Sequence, residues 1–164
     1  MASQPFRFSG QGFSLQGDKG RFVLPSNFRK PVKEASGGDK VICLDKHDRW
    51  PCLTAFGTTR REELAEQLER EETLANARGE LFDYDTRAMQ LGGFFEVPFD
   101  DSGRFVMPRH LLDLVGIGDA AYFHGAGRAI TIWAPDKLYA MGPGLEAAQA
   151  SCRAAEANAR DRKA

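Results

Sequence analysis

Early in the chain, Phe13 and Leu15 alternate with polar neighbours, the period-two signature of a half-buried strand. Turn chemistry follows at "DKG" (18–20), where glycine is free to take a positive φ. A second short strand is stopped by Pro25, which cannot donate to a ladder. A proline-initiated helical turn, a short apolar strand at Val41–Leu44 and another in "PCLTAF" (51–56) complete the series. The series then recurs. The surroundings of Phe94 and Glu96 alternate less cleanly, "DSG" (101–103) repeats the turn, and Pro108 stops the next strand. Apolar runs at Ala121–His124 and in "RAITIW" (128–133) finish the second copy.

The repeat is sharpest in "GDKGRFVLP" (17–25) and "DDSGRFVMP" (100–108), which lie 83 residues apart. Aligning Gly38-Asp39 with Gly118-Asp119 matches Val41–Leu44 to Ala121–His124, and Phe56 then falls on Trp133. Two indels of three residues, both in loop-like sequence, reconcile the halves. A unit of about 45 residues with four short strands is marginal alone, so the two copies are expected to interleave into one core. Residues 10–56 and 93–133 are expected to superpose about a pseudo-two-fold axis.

Between the copies, Thr59 and Glu62 have the spacing of a capping box ahead of "REELAEQLEREETLA". Leu64 and Leu68 mark the apolar stripe of a helix of about four turns with a solvated acidic face. Beyond Gly144 the alanine-rich end is a good helix former with a frayed terminus. The expected organisation is a first repeat over residues 1–61, an acidic helical connection over 62–90, a second repeat over 91–140 and a helical tail over 141–164. The fold class is mainly β with helices, α+β.

Charge changes this picture more than composition does. The net charge of −1 hides an asymmetry: residues 1–61 hold 11 Lys/Arg and 5 Asp/Glu, whereas residues 62–90 hold 3 and 9. A basic first third masked by an acidic middle keeps nucleic acid open as a partner. No run of 18 apolar residues appears, so no membrane span is expected, and "MASQPFRFSGQGF" lacks the form of a signal peptide. Cys43, Cys52 and Cys152 are an odd count without framework spacing and read as cytosolic thiols. Cys43, His47 and Cys52 lack a fourth ligand and the paired spacing of a metal site, so no metal and no cofactor is expected. Asp45, His47 and His124 have no serine or cysteine nucleophile in a recognisable setting, and "GIG" (116–118) lacks the third glycine of a dinucleotide site. An enzyme is not expected.

The candidate chemistry sits in the repeated turn. Arg21, beside Lys19 and Gly20, can meet phosphates or pair bidentately with guanine; the alternative is a salt bridge to Asp18 that closes its own turn. Arg104 has Asp100 and Asp101 beside it and Gly103 before it, so a structural role competes more strongly there. Arg29, Lys30 and Lys33 follow the first proline turn as phosphate contacts or as a solvated charge run. Phe22 and Phe105 read as core rather than as stacking platforms.

These residues resemble the MraZ family, over roughly residues 8–140. The ordered set comprises Phe8 and Gly10, the "KGR…P" block, "PCL" (51–53), the "SGR…P" block and the closing "ITIW". The resemblance implies two interleaved AbrB-like swapped-hairpin repeats that form a double-split β-barrel-like core. It also implies a DNA-binding transcriptional regulator that assembles into a ring-like homo-oligomer. Its partner would be double-stranded DNA, at short promoter repeats upstream of the division and cell wall gene cluster, with repression of its own operon and a cytoplasmic, nucleoid-associated location. The alternative is a ring-forming interaction protein whose arginine turns serve assembly. The DNA-binding set is then Arg21, Lys19, Gly20, Arg104, Arg29 and Arg7, with Asp18, Asp100, Asp101 and Gly103 supporting the turns. The family's D-x-x-x-R element is present as Asp100 to Arg104, but Gly17 stands where the first copy would have its aspartate. An Asp-x-x-Arg pairing, Asp18 with Arg21 and Asp101 with Arg104, is open in both copies. Arg7 lies in about six extra N-terminal residues.

Overall fold

The computed structural model describes residues 7–163; most of the extra N-terminal stretch lies outside that range. Strand β1 (Gln11–Leu15) runs into a turn in which Lys19 and Gly20 both take left-handed φ, 61° and 70°. β2 (Phe22–Val23) is short because Pro25 follows, and that proline stands at the N-cap of α1 (Ser26–Glu34). The antiparallel hairpin β3 (Val41–Lys46) and β4 (Leu53–Phe56) leads into α2 (Arg60–Ala77) and α3 (Tyr84–Gly92). The second half repeats the series as β5 (Phe95–Pro98), β6 (Arg104–Phe105), α4 (Arg109–Val115) after Pro108, then β7 (Ala120–Gly125) and β8 (Ile130–Trp133). Helices α5 (Pro135–Tyr139) and α6 (Glu146–Lys163) follow.

A six-stranded sheet has the order β1-β7-β8-β4-β3-β5, and β2 pairs with β6 as a separate ribbon. Every pairing is antiparallel. The first strand of each half lies against the third strand of the other: β1 on β7, and β5 on β3. The copies therefore interleave, as their small size required.

The register defines a pseudo-two-fold axis. Phe22 stands opposite Phe105, and Thr54 stands opposite Thr131, so at both places a residue meets its own counterpart. One detail of the sequence alignment is corrected. Cys43 faces Phe56 as Tyr122 faces Trp133, so Tyr122, not Phe123, is the counterpart of Cys43. The glycine-aspartate pairs are not equivalent, because α1 is followed by a longer turn than α4, which ends at left-handed Gly116. A one-residue slip exchanges the two faces of a strand; with the structural register, Leu44 and Phe123 both enter the central core.

That core lies between the inner face of the sheet, the ribbon and helices α1 and α4, with Phe22, Phe28, Ile42, Phe105 and Phe123 fully buried. The outer face carries two smaller clusters. Helices α2 and α3 cover Cys43 and Phe56, and the segment from α5 to α6 covers Tyr122 and Trp133. The connection is thus two helices rather than one. Asp83 starts the second, its Oδ1 accepting from the Thr86 amide at 3.1 Å. The capping box expected at Thr59 does not form: the residue is helical, and its hydroxyl donates to the buried Ala35 carbonyl at 2.6 Å. A carbonyl facing the core outcompetes the first-turn amides, which reach solvent.

Candidate nucleic-acid interface

Phe22 and Phe105 point from the ribbon into the core. Strand alternation then sends their neighbours to the opposite face. Val23 stands opposite Arg104, and continuing the register sets Arg21 opposite Val106, whose side chain is 53% exposed. The two arginines are diagonal neighbours across the pseudo-axis, a relation that separates residues by about 7–8 Å. Both line one shallow concavity with Val106, Val97 and Pro98.

The two turns that deliver them share a backbone frame but not a side-chain one. The amide of Gly17 donates to the Arg21 carbonyl at 2.7 Å, and the amide of Asp100 donates to the Arg104 carbonyl at 3.1 Å. In the second turn, Asp100 Oδ1 accepts from the Ser102 and Arg104 amides at 3.0 and 2.9 Å, while Oδ2 accepts from Arg104 Nε at 2.7 Å. The Arg104 amide and guanidinium hold the Asp100 carboxyl below its ordinary range. In the first turn Gly17 has no such group, and Arg21 Nε donates to the Asp18 peptide carbonyl at 3.2 Å.

The Asp-x-x-Arg pairing is therefore not formed in either copy. Asp18 offers its backbone rather than its carboxylate, and Asp101 turns away to pair with Lys40, which lowers its carboxyl. The cause is position: Asp100, at the entry of the turn, can cap the turn amides and face Arg104 at once.

Gly103 holds a φ of 82°, and a Cβ there would lie 2.4 Å from Arg29 Nε and 2.6 Å from the Leu24 carbonyl. Arg29 is half-buried and donates from Nε to that same carbonyl at 2.8 Å, so it braces the second turn. Lys30 and Lys33 are exposed and line a cleft of about 490 Å³ with Arg29, Lys40, Phe99 and Asp101. Lys19 is exposed in its left-handed conformation at the tip of the first turn, next to Gly20. Arg7 is exposed beside the Phe8–Gly127 bridge; among the described residues no hydrogen bond or salt bridge joins it to either arginine turn.

Away from the ribbon, His47 Nδ1 accepts from the Arg49 and Trp50 amides, and His124 Nδ1 lies 2.8 Å from the Tyr122 hydroxyl. Burial lowers both imidazoles. Burial also pushes the Cys43 and Cys52 thiols up to about 12, which leaves them inert. Among the described residues no three His, Cys, Asp or Glu are grouped to hold a metal. No described helix is long and apolar enough to cross a membrane.

Two participants had no signal in the sequence pattern. Lys40 reaches Asp101 across the cleft, and Arg87 ties α3 to Asp48 and Glu71. Both depend on residues far apart in the chain, which local spacing does not bring together.

No family model matches the chain. Curated relatives do. A protein of Rhodospirillum rubrum is 33% identical over 129 residues, covering 74% of this chain and 76% of its own length. One of Parvibaculum lavamentivorans is 30% identical over 128 residues, 78% of this chain and 76% of its own length. One of Gluconacetobacter diazotrophicus is 27% identical over 146 residues, 88% of this chain and 82% of its own length. Each bears the name transcriptional regulator MraZ.

Proposed function

The chain belongs to the MraZ family of transcriptional regulators, and we propose that it regulates transcription by binding DNA through the exposed face of the β2–β6 ribbon. One observation carries this reading: Arg21 and Arg104 stand on one solvent-facing surface, each anchored through Nε. Anchoring there leaves both terminal nitrogens of each guanidinium for a ligand. The major groove admits a two-stranded β-ribbon, and arginine pairs bidentately with guanine O6 and N7. Lys19, Lys30 and Lys33 are placed to meet phosphates, which set orientation and affinity without reading sequence. Arg29 contributes through the turn it braces. Arg7 serves as a peripheral phosphate contact.

The exchange of first strands between the halves supports assigning the core to the swapped-hairpin, double-split-barrel type. The biological target would be short repeated boxes upstream of the division and cell wall gene cluster, bound by a cytoplasmic, nucleoid-associated repressor of its own operon. A ring of copies would present many ribbons to repeated boxes, and avidity would supply what one ribbon lacks. The competing reading is a ring-forming protein whose arginine turns serve assembly, which the Asp100–Arg104 bond favours for the second turn alone.

Footprinting on DNA upstream of the protein's own gene tests the reading, with evenly spaced short protections expected. Arg21→Ala should lose about 1–3 kcal/mol per protomer, the value of one bidentate base contact, while keeping the wild-type melt. Binding that ignores salt, or an Arg21→Ala protein that binds like the wild type, points to assembly instead.

A further inference from the structure

The sheet carries a polar row across its outer face, turned away from the ribbon. Asp45 stands opposite Thr54, Thr54 opposite Thr131 and Thr131 opposite His124, so one register line crosses β3, β4, β8 and β7. Strand alternation puts these four on the side of Cys43, Phe56, Tyr122 and Trp133. The row thus runs between the apolar clusters that the two pairs of helices cover, and the pseudo-axis passes between its threonines. Against the α2–α3 hairpin it opens as a trough of about 270 Å³, lined in part by Asp45, Thr54 and Thr131.

The floor of the trough accepts hydrogen bonds. Thr54 Oγ1 donates to the Asp45 carbonyl at 3.4 Å and Thr131 Oγ1 to the His124 carbonyl at 3.1 Å, which leaves the lone pairs of both hydroxyls to accept. Asp45 Oδ1 accepts from the Lys46 amide at 2.8 Å, and among the described residues its carboxylate enters no ion pair. Burial is the main influence on that carboxyl and raises it above its ordinary value; the charge of Lys46 is the smallest. Lys46 donates Nζ to the His47 and Trp50 carbonyls, Asp48 is held by Arg87, and Arg60 is held by Glu63. Two arginines of the lining remain. Arg49 lies over the Trp50 ring, 5.7 Å from its centroid. Arg128 is exposed, and continuing the β4–β8 register sets it opposite Gly57, just before α2. Among the described residues it enters no ion pair, and about 10 Å of strand separates it from the row.

We infer that this trough binds a small zwitterion, a primary ammonium and a carboxylate on one molecule, as in a free amino acid. A primary ammonium brings three N–H donors and no acceptor, and Asp45, Thr54 and Thr131 offer it three acceptors on a rigid sheet. The carboxylate takes Arg128, whose planar fork matches its two oxygens. A simple anion would meet the Asp45 carboxylate, and a simple cation would meet Arg128, so either charge alone leaves one end of the trough without a partner. Phe56 and Leu64 form an apolar wall for the body of the molecule. The site lies across the core from the ribbon, and its occupancy does not depend on the DNA-binding reading.

Isothermal titration of the full chain tests this with L-alanine, β-alanine, propionate, propylamine and inorganic phosphate at matched ionic strength. At least one of the two zwitterions should bind about tenfold or more tightly than propionate or propylamine, since only a zwitterion engages both ends. Asp45→Asn keeps the shape of the floor and removes its charge, and should weaken that zwitterion about tenfold or more. Arg128→Gln should weaken it similarly, whereas Arg49→Gln should bind as the wild type does. Thermal melts check each variant; if Asp45→Asn does not fold, Arg128→Gln, on an exposed turn, carries the test. No binding of either zwitterion at millimolar concentration would overturn the inference. So would propionate, propylamine or phosphate binding as tightly as the better zwitterion, or a folded Asp45→Asn or Arg128→Gln protein with the wild-type affinity.

Discussion

Replacing Arg87 by alanine should loosen the helical hairpin while leaving the ribbon intact. The guanidinium donates to both Asp48 oxygens at 2.9 and 3.0 Å, to Glu71 at 2.9 Å and to Gln90 at 3.2 Å. One side chain on α3 thus ties α2 to the turn between β3 and β4. Arg87 is 17% exposed, its partners Asp48 and Glu71 are 47% and 35% exposed. Breaking a fully buried pair costs about 3–5 kcal/mol, and an exposed pair is worth about 0–1. Partial burial, with both carboxylates left able to find water, places this loss at about 2 kcal/mol. For a chain of this length that is about 4–8 °C in Tm. Arg87→Lys should recover less than half, since an ammonium cannot span the two carboxylates as the planar fork does. Thermal melts by circular dichroism give the shift, and a DNA titration at low temperature should show unchanged affinity. Arg87→Ala melting within about 1 °C of the wild type, against the expected shift, would refute the reasoning.

Acidification should erase that difference. The bond from Arg87 holds the Asp48 carboxyl below its ordinary value of 3.8, so the pair's stabilisation is complete above that value. It is lost as pH falls through the lower folded value, and denaturant midpoints of wild type and Arg87→Ala should converge on the acid limb rather than on the alkaline one. At the turns, Gly103→Ala should cost about 2–3 kcal/mol, combining positive φ with a collision against Arg29 and Leu24. Gly20→Ala should cost only about 1–2 kcal/mol, because its φ is also positive but its nearest obstacle is the far end of the Gln16 side chain at 3.3 Å rather than backbone. Urea midpoints that rank the two glycines in the opposite order would contradict this account.

The sequence pattern disclosed what repeats and what alternates. Phe13 and Leu15 do lie on a strand, the glycines of both turns take positive φ, and Pro25 and Pro108 each open a helix. Interleaving followed from the smallness of each copy, and the exchange of β1 and β5 realises it. What stayed hidden depends on three-dimensional neighbours. The partner of Arg104 was ambiguous between two adjacent aspartates, and only the turn geometry assigns Asp100. The role of Arg29 was masked because its contact, the Leu24 carbonyl against Gly103, is a backbone feature that no side-chain motif encodes. Helix α3 escaped because its N-cap, Asp83, lies in an acidic run where one more aspartate attracts no notice. The one-residue slip at β7 arose because Gly-Asp occurs in both copies at places that are not equivalent.

The same axis explains which positions remained alike between the copies and which diverged. Where the axis passes through a strand pair, a residue stands opposite its own counterpart, as Phe22 does to Phe105 and Thr54 to Thr131. Both members there are the same amino acid. For Phe22 and Phe105, which are buried in the core, a substitution in one copy alone would press on its own twin with little room to absorb a changed volume. Away from the axis each copy meets a different neighbour. Cys43 lies under α2 and α3 with Phe56, whereas Tyr122 lies under α5 and α6 with Trp133, and these pairs differ in size. Gly17 and Asp100 belong to this second class: each sits at the entry of its own turn near solvent, with nothing in the core to hold the two alike. The ribbon can therefore keep a symmetric frame while its two arginines acquire different electrostatic surroundings. Symmetry is enforced by packing at the axis, and difference enters where packing makes no demand.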